Sequence, residues 1–174
     1  MTAFIALLRA VNVGGRGKLA ATDLKAACEA AGFSGVRTYI QSGNAVFATQ
    51  LQEDAARSRL KQALRAMTGQ DFELFLRAHA ELRQMLAAAP PGGDPARSII
   101  YVFQAPPDHA MLETMVAPDG ETVSITGRAI HVYYPTGTGR SRLKLKGLNE
   151  GTGRNLNTLR KLSVMAAECE GDET

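Results

Sequence analysis

Between Ala3 and Arg77 the spacing of the apolar residues switches repeatedly between a strand period and a helix period. Ala3 to Leu8 is a continuous apolar run, short enough for a buried strand. Leu24, Ala27, Cys28 and Ala31 then form one helical stripe, with Thr22 the expected N-cap and Gly32 the expected stop. Val36, Thr38 and Ile40 alternate with Arg37 and Tyr39. After the turn signal Ser42-Gly43-Asn44, Ala45 to Ala48 reads as the returning strand of a hairpin. Ala56, Leu60, Leu64 and Met67 give a second helical stripe, ended by Gly69. Phe72, Leu74 and Leu76 alternate with Glu73, Phe75 and Arg77, a fourth strand. The order β-α-β-β-α-β is the split pattern of a ferredoxin-like fold, with two helices on one face of the sheet.

Leu82, Met85, Leu86 and Ala89 predict a third helix, which the run Pro90 to Pro95 cannot continue. A boundary there divides the chain into a ferredoxin-like α+β half, residues 1–90, and a second α+β half, residues 91–174. The second half is a smaller, partial repeat packed with the first. It has a strand from Ser98 to Phe103 and a short helix carrying Met111, Leu112 and Met115. A hairpin follows around Gly127, with strands Thr122 to Ile125 and Ala129 to Tyr134. Residues 135–153 are Gly-rich and basic, with no clear element. Leu156, Leu159, Leu162, Met165 and Ala166 predict a terminal helix.

Apolar residues make up 45% of 174, enough for a core, and without Trp that core is mainly aliphatic. No apolar run approaches the ~18 residues that cross a bilayer. Met1 leads into the first strand without a basic leader, so the expected compartment is the cytoplasm. Cys28 and Cys169 form no CxxC, and no ligand set for a metal or cofactor is legible. Cys28, on its helical stripe, reads as a buried structural thiol.

Three segments carry a resemblance. They are Leu7-Leu8-Arg9-Ala10-Val11-Asn12-Val13-Gly14-Gly15, then Val36-Arg37-Thr38-Tyr39-Ile40-Gln41-Ser42-Gly43-Asn44-Ala45-Val46-Phe47, and Arg154-Asn155-Leu156-Asn157-Thr158. They resemble a family of mostly bacterial proteins known only as domain of unknown function 1697. In the third segment Leu156 stands where the family usually has Trp. The resemblance implies two packed α+β halves and implies no reaction.

Three segments are candidate sites. The first is the loop after the first strand, where Arg9, Asn12, Gly14, Gly15 and Lys18 precede a helix N-terminus suited to an anion. The alternative is a turn that needs glycine. The second is Ser42 and Asn44, which also suit an ordinary turn. The two loops are expected at opposite ends of the sheet. The third is the C-terminal basic block. Arg140, Arg142, Lys144 and Lys146 recur at period two, and Arg154, Asn155 and Thr158 sit where the last helix starts. The alternative is a solvated basic loop closed by a capped helix. The acids Glu168, Glu170, Asp172 and Glu173 make an acidic tail, whose part after Cys169 reads as mobile.

No catalytic constellation stands out. His79 and His109 are expected at surface helix starts, and His131, out of phase with Ile130, Val132 and Tyr134, on an exposed strand face. The favoured reading is a binder of an anionic or phosphate-bearing ligand, either a nucleotide or a nucleic acid. The alternatives are an enzyme acting on a small anionic substrate in a cleft between the halves, and a structural interaction module.

Overall fold

The computed structural model describes residues 1–9, 18–40 and 43–171. By packing, the chain divides into one unit of residues 1–83 with 161–174 and a second unit of residues 84–160. The Pro-rich segment that marks a boundary by composition therefore differs from the division by contact. The chain leaves the first unit within one helix and returns to it within another.

The first unit holds strands β1 (Thr2–Leu8), β2 (Ser34–Thr38), β3 (Asn44–Thr49) and β4 (Leu74–Ala78). They form an antiparallel sheet in the order β2-β3-β1-β4. Helices α1 (Ala21–Ala30) and α2 (Glu53–Thr68) pack on each other; α1 lies against β2 and β3, and α2 against β4. Their stripes, Leu24, Ala27 and Cys28 from α1 and Ala56, Leu60 and Leu64 from α2, meet Phe4, Ala6, Leu8, Phe47 and Leu76 in one core. Phe33 stacks on Phe47 at 4.1 Å. Gly69 ends α2 at φ 71°, a conformation that favours glycine.

Several local expectations are corrected. α1 starts at Ala21 with Ala20 at the N-cap, so Thr22 lies inside the helix. Met67 is exposed, because the core-facing stripe of α2 ends at Leu64. Ile40 lies beyond β2, exposed, at φ 49°. Neither face of the sheet is solvated at β1, β3 and β4. Ile5, Leu7, Val46, Phe75 and Arg77 point away from α1 and α2 and are all buried. This explains why β1 and β3 read as unbroken apolar runs.

The second face meets helix α4 (Leu156–Gly171). Arg37 of β2 pairs with Glu168. The Cys169 thiol donates to the Gly35 carbonyl oxygen at 3.8 Å. His79 opens helix α3 (His79–Ala87) and is buried, not on the surface as expected. Its Nδ1 lies 3.1 Å from Glu170 Oε2 and its Nε2 3.1 Å from Ser163 Oγ. Glu168 and Glu170 are therefore paired groups of a packed helix, so the mobility expected after Cys169 does not hold at Glu170.

The second unit holds β5 (Ser98–Val102), β6 (Thr122–Thr126), β7 (Ala129–Tyr133) and β8 (Thr152–Asn155), antiparallel in the order β6-β7-β5-β8. With β5 equated to β1, this repeats the strand order of the first sheet. The repeat includes the fourth strand, β8, in a segment with no periodicity to betray it. A 3-10 helix, His109–Thr114, replaces α1 and is capped by Asp108, which accepts from the Ala110 N–H at 2.9 Å. One face of this sheet buries Phe103, Ile130, Val132 and Tyr134 with Leu145. Among the described residues no helix is long and apolar enough to cross a membrane.

Two measurements check this arrangement. A Cβ on Gly151 would lie 2.9 Å from the Val102 carbonyl oxygen and from the Phe103 ring. Gly151→Ala is therefore expected to destabilise by about 1–3 kcal/mol in denaturant melts. A chain ending at Arg160 lacks the part of α4 that meets β2 and α3. Its β1 and β3 amides are expected to lose slow hydrogen exchange, which the full chain retains.

Candidate functional site

β1 ends where β3 begins. Leu7 pairs with Asn44, and the Leu8 N–H donates to the Gly43 carbonyl oxygen at 2.9 Å. The loop after β1 and the β2–β3 turn therefore leave from the same end of the sheet, not opposite ends. The reason is topological. The β1-α1-β2 crossover makes β2 parallel to β1, so β2 stops where β1 stops, and the hairpin turns there. Leu19, Ala20 and Ala21, at the start of α1, line one small crevice with Thr38, Ile40 and Gly43. Asn12, Gly14, Gly15 and Ser42 lie outside the described residues, whose flanking positions meet at this end.

Arg9 closes this end from the β4 side. Its N–H donates to the Glu73 carbonyl oxygen at 3.0 Å, and its Nη1 lies 3.3 Å from Glu73 Oε2. Both side chains are well exposed, so the pair orients the guanidinium at little gain in stability. Lys18 is exposed. The Ala20 side chain accepts nothing from α1, which leaves its first-turn N–H groups without a side-chain cap. Asn44 is fully buried, and its Nδ2 donates to the Tyr39 carbonyl oxygen at 3.2 Å, tying the hairpin from inside.

The C-terminal candidates belong to the second unit. Arg154 lies on β8, not in a loop. Its Nη1 donates to Thr152 Oγ1 at 2.7 Å and to the Gly153 carbonyl oxygen at 3.0 Å, and burial pushes its pKa down to about 10. Asn155 Oδ1 accepts from the Thr158 N–H at 2.9 Å, which caps the start of α4. The period-two cations do not form an extended row. Arg140 ends a 3-10 turn, and Lys144 makes only an isolated bridge with Val116. Arg142 is gripped by Asp119, with Nη2 2.9 Å from Oδ1. The Arg142 hydrogen bonds hold the Asp119 carboxyl below its usual range.

The register of the second sheet sets Ser124, His131, Ile100 and Arg154 in one row on one face. His131 is only 4% exposed, and neither ring nitrogen has a hydrogen-bond partner among the described residues. Alternation with Ile130 and Val132 suggested exposure because it identifies one covered face and is silent about the other. Cys28 is buried as expected, and burial pushes its thiol up to about 12, so it stays protonated at neutral pH. Among the described residues no three of His, Cys, Asp and Glu gather as a metal site.

Burial lowers the His131 pKa below its ordinary 6.5. The unfolded chain therefore binds this proton at a higher pH than the folded chain. Stability from the neutral ring is full above the ordinary value and is lost as pH falls through it toward the folded value. Chemical denaturation of the native chain and of His131→Phe is expected to diverge below that pH, the variant losing less.

The solved structure of the conserved bacterial protein SP0830 from Streptococcus pneumoniae is similar to this chain, with a TM-score of 0.76 and 21% identity. The match covers 95% of this chain and 98% of that one, and at this identity it speaks for the fold alone. No curated protein matches the chain. The pattern of the family described as "Protein of unknown function (DUF1697)" matches residues 1–131. The chain belongs to that family.

Proposed function

We propose that the protein binds a small anionic, phosphate-bearing ligand at the end of the first sheet where β1, α1 and the β2–β3 hairpin meet. The observation that carries this reading is the meeting of two separate sequence segments at one sheet end. Arg9 and Lys18 flank one segment, and Ile40 and Gly43 flank the other. The uncapped N–H groups of α1 and the Arg9 guanidinium favour an anion. Gly14, Gly15 and Asn12 from the first segment, with Ser42 from the second, complete the set. In this reading Asn44 shapes the turn rather than touching the ligand. The order β2-β3-β1-β4 with two covering helices supports a ferredoxin-like first unit.

A small anion is favoured over nucleic acid because two arginines of the basic block are engaged within the fold. Arg142 is paired with Asp119, and Arg154 is bonded to its own strand. Two unpaired cysteines fit a reducing compartment, the cytoplasm.

The test is thermal unfolding against inorganic phosphate, pyrophosphate, nucleotides and sugar phosphates. A ligand at about 100 times its Kd stabilises by about 2.7 kcal/mol. For a chain of this size the expected rise in Tm is roughly 5 to 10 °C. Arg9→Ala is expected to weaken the response at least tenfold in ligand concentration, while Arg154→Ala leaves it in place. Absence of any response to phosphorylated compounds removes the proposal.

A further inference from the structure

Each sheet has two edge strands, β2 and β4 in the first and β6 and β8 in the second. Three of these edges are guarded. β2 carries Arg37, its register slips between Ser34 and Arg37, and the Gly35 carbonyl oxygen accepts from the Cys169 thiol. β4 carries Arg77, and β8 has only four residues, Arg154 among them. Charge, irregularity and shortness are the usual defences of a free edge. β6 has none of them. Its five residues, Thr122 to Thr126, include no charge and no proline, and they pair with β7 in unbroken register. Thr122 and Thr126 are exposed, and the three residues between them are half-buried.

The backbone bonding of β6 follows from the register. The Phe103 N–H donates to the Arg128 carbonyl oxygen at 2.9 Å, and the Tyr134 N–H to the Arg97 carbonyl oxygen at 3.0 Å. Ile130 and Val132 therefore also turn their backbone groups to β5, and Ala129, His131 and Tyr133 turn theirs to β6. The partners of these three are Thr126, Ser124 and Thr122. Val123 and Ile125 are left with N–H and C=O groups directed off the sheet, where among the described residues no strand stands. Their side chains share one face, packed on the core of Ile130 and Val132. Thr122 and Ser124 lie on the other face, where they line a cleft of about 210 Å³ with His131 and the segment from Pro90 to Gly93. No acidic or basic side chain lines that cleft, so on that face no charge stands beside the edge.

This edge is complementary to itself. Two copies of β6 laid antiparallel about Ser124 set Val123 of each against Ile125 of the other, and every outward N–H meets an outward C=O. Thr122 then lies opposite Thr126. These are β-branched pairs on one face and hydroxyl pairs on the other, both favourable across strands. The charges beyond the strand also match. Glu121 precedes β6 and Arg128 follows it, while Asp119 is neutralised by Arg142. Antiparallel pairing brings the acidic end of one copy to the basic end of the other. An edge of this length buries less than the roughly 1,200 Å² of a standard interface, so the pair forms and parts with concentration.

We infer that β6 is a self-association edge, through which two copies of this chain join their four-stranded second sheets into one antiparallel sheet with a two-fold axis at Ser124. Sedimentation velocity of the full chain from micromolar to millimolar concentration is expected to show monomer giving way to dimer. Amide hydrogen exchange at Val123 and Ile125 is expected to slow over the same range, while that of Ser124, already bonded to β7, changes less. Thr122→Lys with Thr126→Lys sets like charges opposite each other at both ends of the pair and is expected to weaken the dimer about tenfold. Thr122→Lys with Thr126→Glu sets opposite charges there and is expected to restore it. Both positions are exposed, and the second variant shares a substitution with the first, so recovery excludes misfolding as the cause. The inference is overturned if the chain stays monomeric to millimolar concentration, which leaves the edge to a strand of another protein. It is equally overturned if a dimer forms with exchange at Val123 and Ile125 unchanged, or if the two variants associate alike.

Discussion

A four-stranded sheet with helices on one face leaves its other face to be covered, and in the first unit α4 meets that face. The contact joins residues far apart in sequence, Arg37 to Glu168 and Gly35 to Cys169. It requires that Ile5, Leu7, Val46 and Phe75 be apolar although they point away from the main core. It also buries His79 and Arg77. A polar group can be held there only because partners come with it. His79 finds Ser163 and Glu170 on α4, and the Arg77 guanidinium reaches Glu81 at 3.5 Å and the Leu76 carbonyl oxygen at 2.7 Å. The first unit is thus completed by a segment far in sequence from its strands.

The two sheets share one strand order but differ in what covers them. In the first unit two long helices pack on one face. In the second a 3-10 helix and the segment around Leu143 to Leu148 do the corresponding work with fewer apolar side chains. The opposite face of the second sheet carries Ser98, Thr122, Ser124, His131 and Arg154 where the first sheet carries mostly aliphatic residues. A sheet face with that composition cannot be filled as densely as Ile5 and Phe75 fill theirs. The cleft at His131 is the physical consequence.

Close backbone approach is the recurring device of the second unit. Gly151 and Gly153, on either side of Thr152 where β8 begins, sit where a Cβ would strike Phe103 or Tyr101. These two glycines let β8 pack closely against β5, and Arg154 lies along its own strand.

The sequence alone determined the β-α-β-β-α-β succession, the stripes of α1 and α2 and the glycine stop at Gly69. These depend on local periodicity and on one residue's allowed φ, which neighbours along the chain suffice to set. It also singled out the segments around Arg9 and Ser42, because glycine and polar residues interrupting apolar runs are visible without a structure. Only the tertiary structure decided that those segments share one end of the sheet, that Thr152–Asn155 is a strand and that His79 and His131 are buried. Strand β8 has four residues, too few to show a period, and exists because β5 offers it an edge. Burial of a histidine depends on what arrives from elsewhere in the chain to cover it. Alternation along a strand reports which residues share a face, and only packing decides whether that face meets water.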